Sequence, residues 1–405
     1  MHASRSDQKL FQLQQLAPEA WTQLLRFNLD SERVTVETIH TEDAGKDQTR
    51  YVLSLVGYSD PITLLGRRTT QREANFYAHL AGEVGAIAPR CWFSHVGSAE
   101  SWAIISEPAH DLSPKAWSET ETLQIVRDLA HFHASYWGQK QFLLSNTWLP
   151  FMLGTRRRKS ARPDRLPTDW KRGIVSEHAL RSVEGLAPQW LDAAKGLRML
   201  LELDGWQHVI EEKHLRAMAD LLDDPLPMLH PLRELPLTLT HGYPGIYNWR
   251  VSVYEMRALA DWRQVAIGPG IADLVAFLET FGLLQDGEMN WQVRDKWPVA
   301  EETMIDAYIL QLSAELGHAA QTRRIRHAIP AARCLHILLT WLPRFYQWFG
   351  NLPDDLATRR AMWDTINTTS DNDLAQTIYN PIAGLRPYLA EVFHRFLKSY
   401  YQITG

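Results

Sequence analysis

Residues 237–274 read LTLTHGYPGIYNWRVSVYEMRALADWRQVAIGPGIADL. An apolar run, Leu237-Thr238-Leu239-Thr240, suits a short strand, and a loop punctuated by glycine and proline follows it, His241-Gly242-Tyr243-Pro244-Gly245. Two alternating apolar segments, Trp249 to Tyr254 and Ala258 to Ala260, are separated by Glu255-Met256-Arg257 and predict a β-hairpin. Asp261-Trp262 closes its second strand. Ile267-Gly268-Pro269-Gly270 then turns the chain into a helix that begins at Asp273-Leu274 and runs through Phe277 and Leu278.

Strand, loop, hairpin and acid in this order form the arrangement that a kinase uses. There a loop H-x-D-x-x-x-x-N supplies an Asp to orient the acceptor hydroxyl and an Asn to hold a metal ion. A second Asp, after the next hairpin, holds Mg²⁺ against the nucleotide phosphates. His241, Asn248 and Asp261 stand at the matching spacings. The stretch resembles the aminoglycoside phosphotransferase and choline kinase family, whose loop reads HGDxxxxN and whose metal site reads DW. The GPG turn and Asp273-Leu274 resemble that family too. One position departs from it: Tyr243 stands where the family has the catalytic Asp.

Upstream, Val34 to Ile39 and Tyr51 to Val56 alternate as strands. The polar run between them, His40 to Arg50, is where a kinase would cover the nucleotide, although it holds one glycine only, Gly45. The resemblance implies a Lys that grips the phosphates and pairs with a Glu on the following helix. On this pattern the Lys position is Ser54 and the Glu is Glu73, whose helix face also carries Tyr77, Leu80 and Val84. Glu73 reads equally well as an ordinary residue of an amphipathic helix. Arg67 or Arg68 is the alternative cation for it.

Pro89 to Phe93 and Trp102 to Glu107 predict two more strands of a small antiparallel sheet, and Ser106 to His110, with Glu107, is the expected hinge at which adenine binds. A long helix, Thr120 to Trp137, carries LAHFHASYW, which resembles a bacterial branch of the same family. His131 and His133 are two residues apart and cannot share a helix face, so they read as packing residues and not as metal ligands. The basic segment 155–172 reads as a solvated connection, with an anion clamp as the alternative. Helical patterns fill 174–222, 301–348 and 381–401.

The whole is an α+β, two-lobed, protein-kinase-like fold with a small antiparallel-sheet N-lobe and a large helical C-lobe. The expected divisions are an N-terminal helical segment 1–29, the N-lobe 30–108 and the C-lobe 109–405, which contains the catalytic-loop hairpin 237–262. With 405 residues, 45% hydrophobic and 22% charged, the chain can bury a substantial core. A net charge of −5 gives no support for nucleic-acid binding. Two cysteines fit a reducing compartment. With neither a signal peptide nor a membrane-spanning run, the expected location is cytoplasmic, away from membranes.

Three functional readings follow. In the first, a kinase-fold protein with impaired phosphotransfer binds a nucleotide or another small molecule in the inter-lobe cleft. Tyr243 and His241 then stand at the catalytic loop, Ser54, Glu73 and Glu107 at the nucleotide, and Asn248 and Asp261 at a metal. A phenol has an ordinary pKa of about 10 and cannot serve as a carboxylate at neutral pH. In the second, an active phosphotransferase uses ATP and Mg²⁺ on a small hydroxyl or amino compound, another basic residue replacing the Lys. In the third, the cleft performs different chemistry without a nucleotide.

Overall fold

The computed structural model describes residues 17–45, 47–107, 111–153, 173–252, 256–286, 290–294, 296–349, 355–369 and 385–405. The basic segment 155–172, the hinge residues 108–110 and residues 1–16 of the N-terminal helical segment lie outside these. The chain divides into two compact units, residues 1–116 with 248–265, and residues 117–247 with 266–405.

The first unit is built on a five-stranded antiparallel sheet. Its strands are β1 (Val36–Gly45), β2 (Gln48–Leu55), β3 (Ile62–Thr69), β4 (Cys91–His95) and β5 (Ser101–Ser106), in spatial order β1-β2-β3-β5-β4. Alternation along β2 buries Thr49, Tyr51, Leu53 and Leu55 on one face. That face receives α1 (Pro18–Leu29) through Trp21, whose ring centroid lies 4.8 Å from that of Tyr51. Tyr51 also explains Gly66 on the neighbouring strand, since a Cβ there would come within 2.6 Å of the tyrosine ring. Helix α2 (Gln71–His79) follows β3 after a single residue. Its N-cap is Thr70, whose hydroxyl accepts the Glu73 N–H at 3.2 Å.

Two expectations change here. The polar run 40–50 is no open loop: β1 and β2 pair through it, from His40 with Val52 to Gly45 with Gln48. The β1 side of this run is polar and mostly exposed, and backbone pairing outweighs its polarity. Residues 62–69 form a whole strand that no apolar alternation marks in the sequence, because its second half, Gly66-Arg67-Arg68-Thr69, lacks apolar residues. The hairpin also belongs to the sheet-bearing unit. After β6 (Thr238–Thr240), strands β7 (Trp249–Val251) and β8 (Arg257–Leu259) pair antiparallel and bury Trp249, Val251 and Leu259 there.

In the second unit β6 pairs with β9 (Ala266–Gly268), a fully buried two-stranded ribbon. Around it lie α3 (Glu119–Ser135), α4 (Ala187–Glu202), α5 (Ile271–Phe281), α6 (Glu301–Leu316), α7 (Thr322–Phe349) and α8 (Arg386–Thr404). All eleven residues of α5 are buried, so it is the central helix of this unit. Helix α3 starts with a capping box between Ser118 and Glu121. Five antiparallel strands with one helix between the third and fourth, then helices interrupted by a short hairpin, are the α+β kinase-like arrangement expected from the sequence. Among the described residues no helix is long and apolar enough to cross a membrane.

Candidate functional site

In the sheet-bearing unit the site is organised by Glu73. Its carboxylate is fully buried and accepts hydrogen bonds from Arg67 Nη2, from the Thr69 hydroxyl and, at 2.7 Å, from the backbone N–H of Trp262. The cation therefore comes from β3, the strand that runs directly into α2. Ser54 lies one strand away, half-buried on β2 and paired with Thr38 of β1. Arg67 is itself almost buried, and its Nε has no hydrogen-bond partner among the described residues. Burial alone would lower the affinity of this guanidinium for its proton. The Glu73 carboxylate beside it, together with Tyr77 and Asp261, more than compensates and holds the pKa above the ordinary arginine value.

Trp262 fixes the turn after the hairpin. Its indole stacks on Phe76 of α2 at 4.0 Å and 12°, and its Nε1 donates to the Leu259 carbonyl at 2.7 Å. Asp261, immediately before it, adopts a left-handed backbone conformation with φ of 66°, which Asp tolerates better than most residues. Both carboxylate oxygens of Asp261 are taken by one guanidinium, Arg263 Nε on Oδ1 and Nη2 on Oδ2. Asn248 is brought to the same end of the hairpin, its carbonyl accepting the Ala260 N–H at 2.7 Å. Glu107, at the end of β5, is held in a two-pronged pair by Arg50, at 2.6 and 2.9 Å.

The catalytic-loop segment belongs to the helical unit, where Asp273 anchors it. This buried carboxylate accepts the N–H of His241 at 2.6 Å, the N–H of Gly242 at 2.9 Å and the imidazole Nε2 of His133 at 3.2 Å. His133 Nδ1 in turn lies 2.7 Å from the Tyr308 hydroxyl. Imidazole with its proton on Nε2 satisfies all these groups at once, Tyr308 then donating to Nδ1. Gly270 completes the packing, for a Cβ there would fall 2.7 Å from His133 Nδ1. His133 and His131 diverge, as their spacing requires, and His131 pairs with Glu315 on the surface. The sequence reading treated Asp273 as a helix-start residue; its place in the first turn of α5 gave no hint that it holds the loop.

Tyr243 is half-buried. Its hydroxyl accepts from Arg344 Nη2 at 3.3 Å, and its ring lies parallel to that of His336 with centroids 6.2 Å apart. Burial pushes the His336 imidazole down to about 4, so it is neutral at physiological pH. Behind it, Glu279 on α5 is fully buried and paired with Arg333, at 2.6 Å, and with Arg395, at 3.0 Å. Burial opposes the charge of Glu279, but the two guanidinium groups outweigh it and hold the carboxyl below its usual range.

No family model matches the sequence, and no curated protein matches it. Solved structures similar to this chain include a choline kinase from Cryptosporidium parvum Iowa II, 13% identical, covering 92% of this chain and 99% of that one with a TM-score of 0.46. A choline/ethanolamine kinase family protein from Mesorhizobium loti is 13% identical and covers 94% of this chain and 98% of that one, with a TM-score of 0.43. An aminoglycoside-3'-phosphotransferase of type VIII is 14% identical and covers 76% and 97%, with a TM-score of 0.35. With all three scores below 0.5, the fold rests on this chain's own strand order and pairing.

The magnesium implied by the resemblance does not fit the residues as they stand. Mg²⁺ needs carboxylate oxygens at about 2.1 Å in near-octahedral geometry. Both Asp261 oxygens are already engaged by the Arg263 guanidinium, and a dication on them would have to displace it or bind against its repulsion.

Proposed function

We propose that this chain is a kinase-fold protein that binds a nucleotide, ATP being the ligand its residues suit, and that transfers phosphate slowly or not at all. The observation that carries the binding half is Arg67. A kinase needs a cation on the strand before the helix, paired with a helix Glu, to receive the α- and β-phosphates. Arg67 and Glu73 have that relationship, and among the described residues the buried Arg67 Nε has no acceptor of the kind that a phosphate oxygen would supply. Tyr243 supports the impaired half. The loop position that should offer a carboxylate offers a phenol, which itself takes a hydrogen bond from Arg344. Loss of a positioned general base costs about 10²–10⁴-fold.

A second reading, a working phosphotransferase for a small hydroxyl or amino compound, is favoured by the same Arg67, because the site then retains its phosphate-binding cation. The two readings share the nucleotide and differ in turnover. Thermal denaturation with and without ATP tests what they share, since a ligand that binds only the folded protein raises its melting temperature by mass action. Arg67→Lys should keep an ATP-dependent shift and Arg67→Ala should lose most of it, each variant measured against its own ligand-free melt. A natural protein whose melt ignores ATP at millimolar concentration contradicts nucleotide binding.

A further inference from the structure

The pairing of Asp261 with Arg263 has a consequence for the metal requirement. Both residues flank Trp262, whose ring and backbone are held by Phe76, Leu259 and Glu73. The turn that carries Asp261 and Arg263 is thus pinned between them, which keeps their backbones adjacent. The fork geometry, Nε and Nη2 on the two carboxylate oxygens, is the strongest form of such a pair. Arg263 shows no other hydrogen bond among the described residues, and its side chain is 57% exposed. The Asp261 and Glu73 charges also act on Arg67, so two guanidinium groups and two carboxylates share this corner of the unit. Their charges already cancel without any metal.

We infer that Arg263 takes the place of a divalent cation, and that the unit binds the phosphates of a nucleoside di- or triphosphate between two guanidinium groups, those of Arg263 and Arg67, without magnesium. The inference rests on the nucleotide reading above and adds the ionic form of the ligand. A guanidinium can hold a carboxylate along one edge and a phosphate oxygen from its remaining N–H groups, which gives it the bridging role that Mg²⁺ has between an acid and a phosphate. A dication on the Asp261 oxygens would bind against the repulsion of the guanidinium already paired with both of them. Added magnesium therefore brings no new contact in the natural protein.

The test is ATP binding to the full chain, read by calorimetry and by melting temperature, in EDTA and in excess Mg²⁺. The natural protein should bind ATP in EDTA, with a dissociation constant within about threefold of the Mg²⁺ value, a small difference on the affinity scale. Arg263→Gln should weaken binding in EDTA about tenfold, the worth of one charge-assisted fork. In that variant Mg²⁺ should restore binding, because Asp261 is open to the metal. Arg263→Lys, which keeps the charge without the fork, should fall between the two. If Arg263→Gln does not fold, the natural protein's EDTA-to-Mg²⁺ ratio decides alone. Binding by the natural protein that is tenfold or more tighter in Mg²⁺ overturns the inference and leaves nucleotide binding intact. ATP binding in neither condition overturns the nucleotide reading, and the inference with it.

Discussion

The Asp273 carboxylate accepts the backbone N–H of His241 at 2.6 Å across 32 residues of chain. It accepts the next N–H, that of Gly242, as well. One side chain on the central helix thereby fixes the backbone of the loop on which Tyr243 is presented. Replacing Asp273 by Ala leaves two backbone N–H groups and the His133 imidazole without their common acceptor. Each buried donor left unsatisfied costs about 1–3 kcal/mol, so a loss of about 3–5 kcal/mol is expected in denaturant unfolding. Amide hydrogen exchange should show the His241 and Gly242 N–H groups losing protection ahead of β6, which ends at Thr240 just before them. Unchanged protection at both amides would show that the loop is held by something else.

A pH dependence follows from His336. Its folded-state pKa is about 4, below the 6.5 of an exposed imidazole, so between those values the unfolded chain binds a proton that the folded one does not. Stability must therefore fall as pH drops from about 6.5 to about 4, by at most about 3 kcal/mol from this group. Other groups titrate in the same window, so the informative quantity is the difference from His336→Asn, which cannot take up the proton. The natural protein should lose more stability than the variant between pH 7 and pH 4.5. Parallel curves would mean that the imidazole is not buried in its neutral form.

Much of the fold was legible because its signals are local. The Gly/Pro loop, the hairpin and the GPG turn announce themselves through residues with few conformational options, and Gly270 is now explained by the His133 ring that lies over it. Glu73 was found because its helix is strongly patterned. Its partner is legible only as one of two alternatives, Arg67 or Arg68, for a physical reason: β3 ends in Gly66-Arg67-Arg68-Thr69, where only every second side chain faces inward and one of those is charged. A strand of that kind has no apolar alternation to read. Ser54, at the family's Lys position, lies on β2, one strand away from the Arg67 that pairs with Glu73. Asp273 and Arg263 were missed differently. Each acts through a partner that only folding brings near or orients, His133 and His241 for Asp273, and the pinned Trp262 turn for Arg263.

The central claim is that nucleotide binding survives while the loop lacks its acid, and Tyr243→Asp tests it most directly. On the proposed reading Arg67 is the phosphate cation, so this single substitution supplies the missing acid, with no change at Ser54. The measurement is release or transfer of the ATP γ-phosphate, in EDTA and in Mg²⁺, with a panel of small hydroxyl and amino acceptors, for the natural protein and the variant side by side. Turnover by the natural protein should be at background, and the variant should exceed it by about 10²-fold or more, the lower end of what a positioned general base contributes. Robust turnover by the natural protein with any acceptor, undiminished relative to Tyr243→Asp, would contradict the account.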